Sequence, residues 1–370
     1  MTKRAWRSPV SALAFAAIMA LCATAGAKVK VGGQLQLRYG AEMLGDDPAT
    51  ALDESADAWG QSLSIRRARL KASAKRGRFT LRTHLAFERA DPRVLSLFLK
   101  FKGPWKLRFR VGQTKRLLTR AYLDSSVHLR LVSRSVVGEE VASNRDVGVV
   151  VSRRFFGDRV SSSLALWNGQ GANTFGNAIG RFMVEGRVEF AIGARFSTED
   201  QVIGRAPGLL FGGAASSGSV QASRQSGGEQ ITRYDDTLAW SAFAALRGWG
   251  AELVVETVSH DRAPVAANDG VDLAAMGVID VKQAGWSARA AWQPAGLNGR
   301  LGFVGRWSRW LKRRDDPNEG TDRLMAGVTW RLQGDELKLQ LQLERRADRR
   351  ADMADYVRHR AMLQLQGALR

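Results

Sequence analysis

The sequence predicts an all-β fold: a transmembrane antiparallel β-barrel of about 16 strands with an inward-folded third loop. Three observations lead to this fold class. Apolar and polar residues alternate with a period of two along much of the chain. No apolar run after residue 27 approaches the roughly 20 residues that a membrane helix requires. Short and long connections between candidate strands mostly alternate along the chain, as they do in membrane barrels.

The alternation is clearest in four segments, 29–39, 105–111, 337–343 and 357–366. In each segment the odd positions are mainly apolar, and the even positions are mainly Lys, Arg or Gln. Such a strand has one face for lipid and one for a wet lumen. A soluble β-sandwich also alternates, but sandwich domains rarely reach about 340 residues without a linker. The chain contains neither a linker nor a composition shift, so the barrel is the favoured fold.

The spacing of the candidate strands adds a second, independent indication. Six short connections lie at 74–78, 102–104, 155–158, 247–248, 293–298 and 333–335. Seven long connections lie at 41–60, 113–144, 168–181, 221–232, 260–280, 311–319 and 345–355. Two segments depart from the rule, since 197–207 is long for a turn and 89–93 is short for an outer loop. The asymmetry predicts tight turns at one end of the barrel and long loops at the other.

Tryptophan placement fits the same fold. Nine of the eleven tryptophans fall near predicted strand ends or on the apolar parity: Trp105, Trp167, Trp240, Trp249, Trp286, Trp292, Trp307, Trp310 and Trp330. Aromatic rings collect at the two membrane interfaces of a barrel. Packing in a core is the alternative for any single one of them.

Residues 1–27 are predicted to be a signal peptide that is cleaved after Ala27. The segment begins with three basic residues, continues with the apolar run 10–23 and ends in Ala-Gly-Ala. That run is too short for a membrane anchor. Residues 28–370 are then expected to form a single β-barrel domain in the outer membrane of a Gram-negative bacterium.

Charge and cysteine content narrow the possible partners. The formal net charge of +20 falls to +17 without the three basic residues of the signal peptide. Such a basic balance indicates an anionic partner, and an exported protein does not normally meet nucleic acid. The only cysteine, Cys22, lies in the signal peptide. The mature chain therefore offers no disulfide, thiol nucleophile or cysteine-ligated metal.

The longest predicted loop, 113–144, is the best candidate for a constriction. It follows the fifth candidate strand and is rich in arginine, against Asp124, Glu139 and Glu140. Arginine suits an anion pathway because its planar guanidinium binds oxyanions bidentately and stays charged. The predicted anion-binding residues in this loop and the strand before it are Lys106, Arg108, Arg110, Lys115, Arg116, Arg120, Arg130 and Arg134. On the wall, Arg38, Arg82, Arg306, Arg331, Arg358 and Arg360 would extend the column.

These arginines have other possible roles. They could be solvated surface groups, they could pair with neighbouring carboxylates, or they could bind lipopolysaccharide phosphates at an outside rim. The folding of the loop into the barrel is an expectation by analogy with large membrane barrels.

No catalytic, cofactor-binding or metal-binding residues are predicted. The four histidines, His84, His128, His260 and His359, are isolated in the sequence and have no serine motif around them. No pair lies at a spacing typical of metal ligands. We therefore expect neither enzymatic activity nor a cofactor.

Three segments resemble the phosphate-selective porins of the O and P type. They are 64–70 (SIRRARL), 111–115 (VGQTK) and 144–149 (NRDVGV), with weaker similarity at 208–214 and 250–253. The resemblance implies a sixteen-stranded, homotrimeric, anion-selective channel that favours phosphate or polyphosphate. Lys115 would correspond to the loop lysine of that family. The family usually has a proline shortly after this lysine, whereas here Arg-Leu-Leu follows.

Two functions remain open from the sequence. The first is an outer-membrane porin that forms a diffusion channel for small inorganic anions such as phosphate through an Arg/Lys-lined constriction. The alternative is a general or structural outer-membrane barrel whose basic loops bind lipopolysaccharide phosphates. The candidate loops 311–319 and 345–355 carry both charge signs, which keeps the alternative open.

Overall fold

The computed structural model describes most of the chain after the predicted signal peptide. The described residues are 26–44, 59–88, 92–141, 145–174, 176–177, 180–196, 206–226, 229–267, 280–350 and 353–369. Residues 1–25 lie outside the described residues, so the signal peptide and its cleavage after Ala27 remain predictions.

Sixteen antiparallel strands form a closed barrel in which every strand pairs with its neighbours in the sequence, and β1 pairs with β16 to close the ring. The strands are β1 Lys28–Leu44, β2 Trp59–Arg76, β3 Phe79–Ala86, β4 Arg93–Lys102, β5 Arg108–Lys115, β6 Arg145–Phe155, β7 Val160–Trp167, β8 Met183–Gly193, β9 Gly208–Ser226, β10 Glu229–Gly248, β11 Ala251–Ala267, β12 Val281–Trp292, β13 Leu301–Arg313, β14 Asp316–Gln333, β15 Leu337–Arg350 and β16 Met353–Leu369. The predicted fold class and strand number are confirmed.

The alternation in the sequence separates the two faces of the barrel. In β15, Lys338, Gln340 and Gln342 are fully buried, whereas Leu341 and Leu343 are about half exposed. The polar parity therefore faces the inside and the apolar parity faces outward. An outward apolar face is the reverse of a soluble sandwich and suits contact with lipid.

Several predicted loops are strands in the structure. Most of 221–232 belongs to β9 and β10, and 311–319 belongs to β13 and β14 apart from residues 314–315. Most of 345–355 likewise belongs to β15 and β16. Beyond the lipid both faces of a hairpin can be polar, so the alternation fades while the backbone ladder continues. The strands predicted from composition were therefore too short at these loops.

The strand predicted over 105–111 begins three residues late. Pro104–Lys106 forms a 3-10 turn in which Trp105 and Lys106 have positive φ angles of 51° and 60°. The chain reverses there, and β5 begins only at Arg108. Lys106 is therefore an exposed turn residue between β4 and β5. Its predicted position in a lumen-facing strand was wrong.

Two short helices lie between β5 and β6: α1, Arg120–Leu123, and α2, Val136–Glu140. Among the described residues, no helix is long and apolar enough to cross a membrane. Of the nine tryptophans placed near strand ends or on the apolar parity, two are buried, which was the alternative for any single one. Trp167 donates from Nε1 to Glu185 Oε2 (2.7 Å), and Trp310 packs against the apolar side of the segment that carries the helices.

Candidate functional site

The connection between β5 and β6 contacts the inner wall of the barrel. At Gly112 the φ angle is +121° and a Cβ atom would collide with the backbone of Leu97. After Lys115, where β5 ends, the chain leaves the sheet, and its carbonyl oxygens accept hydrogen bonds from inward-facing side chains. The Leu129 carbonyl accepts from Lys338 Nζ (2.8 Å) and from Gln340 Nε2 (3.0 Å). We call residues 116–141 the lumenal segment.

Apolar contacts fix the lumenal segment to one side of the barrel. Val136 and Val137 are fully buried in a cluster with Val258 and Trp310. A second cluster joins Leu131 to residues of β12, β13 and β14. Full burial of such a side chain stabilises a fold by about 1.5–3 kcal/mol, so these contacts hold the segment firmly against β10 to β14.

Arg130 and Arg120, two of the predicted constriction residues, form ion pairs with the wall. Arg130 Nη2 lies 3.3 Å from Glu252 Oε2. Burial lowers the pKa of Arg130 to about 10, which the Glu252 carboxylate partly offsets, so Arg130 remains charged at neutral pH. Arg120 lies 3.4 Å from Glu189, and its backbone N–H donates to Glu256. Both arginines therefore anchor the lumenal segment.

The other predicted cations of this region are engaged in a similar way. Arg116 Nε lies 3.9 Å from Glu185 Oε1. Arg134 donates to the carbonyl oxygens of Ala121 and, at 2.7 Å, Asp124. Lys115 Nζ also donates to the Asp124 carbonyl (3.0 Å), besides those of residues 122 and 123. These side chains shape and fasten the segment.

Four of the six wall arginines predicted to extend the column also have partners. Arg306 donates to the Ser133 carbonyl (3.0 Å). Arg331 Nε lies 3.2 Å from an Asp335 oxygen, Arg358 Nη2 lies 2.9 Å from Asp348, and Arg360 pairs with Glu42. We call the inner face of β8 to β15 the paired wall, after the ion pairs Arg187–Glu189 (3.0 Å), Arg289–Glu252 (2.7 Å) and Arg323–Glu344 (3.5 Å).

The inner face of β1 to β5 has a different character. Its cations include eight toward the short-turn end, which we call the basic strip: Lys28, Lys30, Lys75, Arg82, Lys100, Lys102, Arg108 and Arg110. The residue pairs Lys28–Lys75, Lys100–Arg110 and Lys102–Arg108 stand directly opposite each other in the sheet. Like charges in directly opposite positions are destabilising.

No carboxylate compensates the basic strip within the described ranges. None of its eight side chains forms an ion pair with a carboxylate there. The charged groups that act most strongly on the Lys100 ammonium are all cations, namely Arg82, Arg108, Arg110 and Lys102. An anion in front of this face would therefore meet several cations that lack a fixed counter-charge.

Two adjoining cavities lie along the basic strip. The larger, about 700 Å³, is lined by Lys28, Lys75, Lys100 and Lys102 near the short-turn end. The other, about 540 Å³, reaches the lumenal segment at Ser125 and His128. Both cavities are lined by Lys30, Ser73 and Arg82. The two cavities therefore adjoin along the basic strip.

Sequence reasoning identified only part of the basic strip. Arg82, Arg108 and Arg110 were predicted, whereas Lys28, Lys30, Lys75, Lys100 and Lys102 were missed. A signal was available, because residues 59–87 and 92–123 contain no Asp or Glu at all. A long stretch without acidic residues leaves its lysines and arginines without local partners.

The turn between β14 and β15 holds the tip of the lumenal segment. His128 Nδ1 lies 2.8 Å from Asp335 Oδ2, and Arg331 and Lys338 lie at 3.2 and 3.8 Å from the same carboxylate. Burial opposes ionisation, but the hydrogen bond with His128 and the two cations outweigh it and lower the pKa of Asp335 to about 2. Among the described residues, no group of three or more His, Cys, Asp or Glu could hold a metal ion.

Comparisons with known proteins identify the type of barrel. No model of a known protein family matches the chain, and no curated protein matches its sequence. OmpT, an outer membrane protein of Vibrio cholerae in its trimer form, covers 92% of this chain and 99% of its own, with a TM-score of 0.60 at 11% identity. The anion-selective porin from Comamonas acidovorans covers 92% and 99%, with a TM-score of 0.58 at 11% identity.

A third similar structure is DcaP, an outer membrane channel of Acinetobacter baumannii, which covers 93% of this chain and 98% of its own with a TM-score of 0.55 at 10% identity. The fold is that of a porin. At these identities the likeness shows the fold alone. Membership of the phosphate-selective O and P type remains a prediction.

Proposed function

We propose that the chain is an anion-selective porin of the outer membrane of a Gram-negative bacterium. The observation that carries the proposal is the basic strip, a column of cations without carboxylate partners among the described residues, beside two adjoining cavities. A wall of one charge sign in a narrow, low-dielectric passage concentrates ions of the opposite sign. Several sites in series let an anion enter without being trapped.

The proposed selectivity surface is therefore the basic strip together with the lumenal segment that narrows the lumen. Of the eight residues first proposed for the constriction, Arg108 and Arg110 belong to the strip. Lys115, Arg116, Arg120, Arg130 and Arg134 position the lumenal segment that forms the opposite side of the passage. The proposed ligand class is phosphoryl anions such as phosphate or polyphosphate, because guanidinium and ammonium groups bind phosphoryl oxygens through charge-assisted hydrogen bonds.

The assembly is proposed to be a homotrimer. OmpT of Vibrio cholerae, which has the same fold, was solved in a trimer form. The outward face of β1 to β5 carries many exposed apolar side chains, such as Leu35, Leu63 and Leu97, that could contact lipid or a second copy. Crosslinking of the chain in outer-membrane vesicles should give a band at three times the monomer mass, and a single monomer band would contradict the trimer.

The lipopolysaccharide-binding alternative receives less support. Three arginines of its two candidate loops form ion pairs with carboxylates: Arg313 with Asp315, Arg346 with Asp348 and Arg349 with Asp322. Such pairs reduce the net positive charge available to lipid phosphates. The structural alternative can be distinguished from a channel by experiment, because a closed barrel would conduct no steady current.

The test is single-channel recording of the refolded chain without residues 1–27 in a tenfold KCl gradient. We expect steady conductance and a reversal potential of the sign for chloride, with partial block by added phosphate. A cation-directed reversal potential would contradict the anion channel. Absence of conductance from a correctly folded, strand-rich barrel would favour the structural alternative.

A further inference from the structure

The 540 Å³ cavity between the lumenal segment and β1 to β4 has the features of a discrete binding site. Orthophosphate, with five heavy atoms, would fill only a small part of it. The size lies within the range of ordinary small-molecule sites, about 300–1,000 Å³.

The cavity wall combines cations with neutral hydrogen-bonding groups. Lys30, Lys71 and Arg82 supply positive charge. Ser73, Ser96, Ser125, His84 and His128 supply hydroxyl and imidazole groups on the same wall. No Asp or Glu lines the cavity among the described residues. Cations alone would bind any anion. The hydroxyl and imidazole groups add hydrogen-bond partners for uncharged polar groups of a ligand.

His84 is the most informative of these groups. Its Nε2 atom is buried and has no hydrogen-bond partner among the described residues. A buried polar atom without a partner is costly, and in a native structure it calls for an explanation. His84 lines the cavity, so a ligand hydroxyl in the cavity could supply the missing hydrogen bond.

The side of the cavity formed by the lumenal segment is held in place. His128 is fixed by Asp335 at 2.8 Å. Its neighbour Ser126 donates to Gln34 Oε1 (2.9 Å) and accepts from Arg69 Nη1 (3.2 Å). Because both sides of the cavity are positioned before a ligand arrives, binding would cost little ordering of side chains.

We propose that this cavity binds a phosphorylated polyhydroxy compound of about the size of a sugar phosphate. The phosphoryl group would lie at Lys30, Lys71 and Arg82, and ligand hydroxyls would contact His84 and the serine side. The inference rests on the proposed anion channel and deepens it by naming the ligand class. Polar groups left unpaired would discriminate against anions without hydroxyls.

The test compares four added solutes as blockers of the anion current in single-channel recordings of the chain without residues 1–27. The solutes are glucose 6-phosphate, orthophosphate, succinate and glucose. We expect glucose 6-phosphate to block at a concentration at least tenfold below that of orthophosphate or succinate, and glucose to give no block. Equal block by orthophosphate, or by succinate, would overturn the proposal.

Variants of the neutral groups sharpen the test. His84→Leu and Ser73→Ala should each weaken block by glucose 6-phosphate about three- to tenfold, the effect of about one hydrogen bond, and leave block by orthophosphate unchanged. Ser287→Ala, on the inner face of β12, is the matched control and should change neither. Equal changes for both anions would contradict a hydroxyl-binding site.

The two proposals can fail separately. If the wild-type channel is not anion-selective, the proposed function is wrong. If it is anion-selective but shows no preference for glucose 6-phosphate, only the binding site is wrong.

Discussion

The two inner walls of the barrel both carry basic side chains, but in opposite electrostatic situations. On the paired wall, Arg289 and Arg130 share the buried carboxylate of Glu252. On the basic strip, Lys100 and Arg110 stand opposite each other, and neither forms an ion pair among the described residues. A count of arginines would treat these walls alike. What distinguishes them is whether a carboxylate lies within reach.

The difference has a simple origin in the sequence. The inward positions of β8 and β11 include glutamates, such as Glu185, Glu189, Glu252 and Glu256. The strands of the basic strip lie in stretches with almost no acidic residues. The paired wall can therefore bind the lumenal segment through fixed charges, whereas the strip keeps its charges available to mobile anions.

The largest expected effect is on the stability of the paired wall. Glu252→Gln leaves two buried guanidinium groups, those of Arg130 and Arg289, without their carboxylate. Breaking a buried ion pair on one side costs about 3–5 kcal/mol. We expect the free energy of unfolding in urea, followed by tryptophan fluorescence, to fall by about that amount.

A second substitution checks the cause of that loss. Adding Arg289→Gln to Glu252→Gln removes one of the uncompensated charges and should restore part of the stability. If the double variant is less stable than Glu252→Gln, the interaction at this site is not mainly electrostatic.

A smaller, pH-dependent effect is expected at the turn that holds the lumenal segment. The pKa of Asp335 is lowered to about 2, against about 3.9 in an unfolded chain, so the ionised form stabilises the folded state. This contribution is complete above about pH 5 and is lost as the pH falls through 4 to 2. It amounts to at most about 2.6 kcal/mol.

Asp335→Asn removes the titrating group. Unfolding curves at several pH values should show a stability difference between wild type and variant that is constant from pH 7 to 5 and narrows below pH 4. A constant difference down to pH 2 would show that Asp335 does not titrate as the geometry requires.

The smallest expected effect on stability concerns the basic strip. Here the substitution should stabilise the barrel, whereas the two changes above destabilise it. Lys100→Gln relieves repulsion from Arg110 and its neighbours, so it should stabilise the barrel by about 0.2–1 kcal/mol in dilute salt. The gain should vanish near 1 M salt, where screening acts over about 3 Å. Destabilisation in dilute salt would mean that Lys100 has an attractive partner.

The sequence predicts the barrel well because lipid and water impose a period of two, as β15 illustrates. It predicts the turn at Trp105 and Lys106 poorly, because apolar and basic residues continue to alternate through the left-handed positions. The sequence also predicts which residues of the lumenal segment are cationic. It does not predict their partners, because Arg130 and Glu252 lie 122 positions apart and meet only through barrel closure.

Conductance separates the two walls most directly. We would compare wild type, a strip variant (Lys100→Gln, Arg108→Gln, Arg110→Gln) and a paired-wall variant (Arg323→Gln, Glu344→Gln) by reversal potential in a tenfold KCl gradient. We expect anion selectivity in the wild type and the paired-wall variant, and a reversal potential near zero or cation-directed in the strip variant. Unchanged selectivity in the strip variant, or its loss in the paired-wall variant, would contradict the assignment of selectivity to the basic strip.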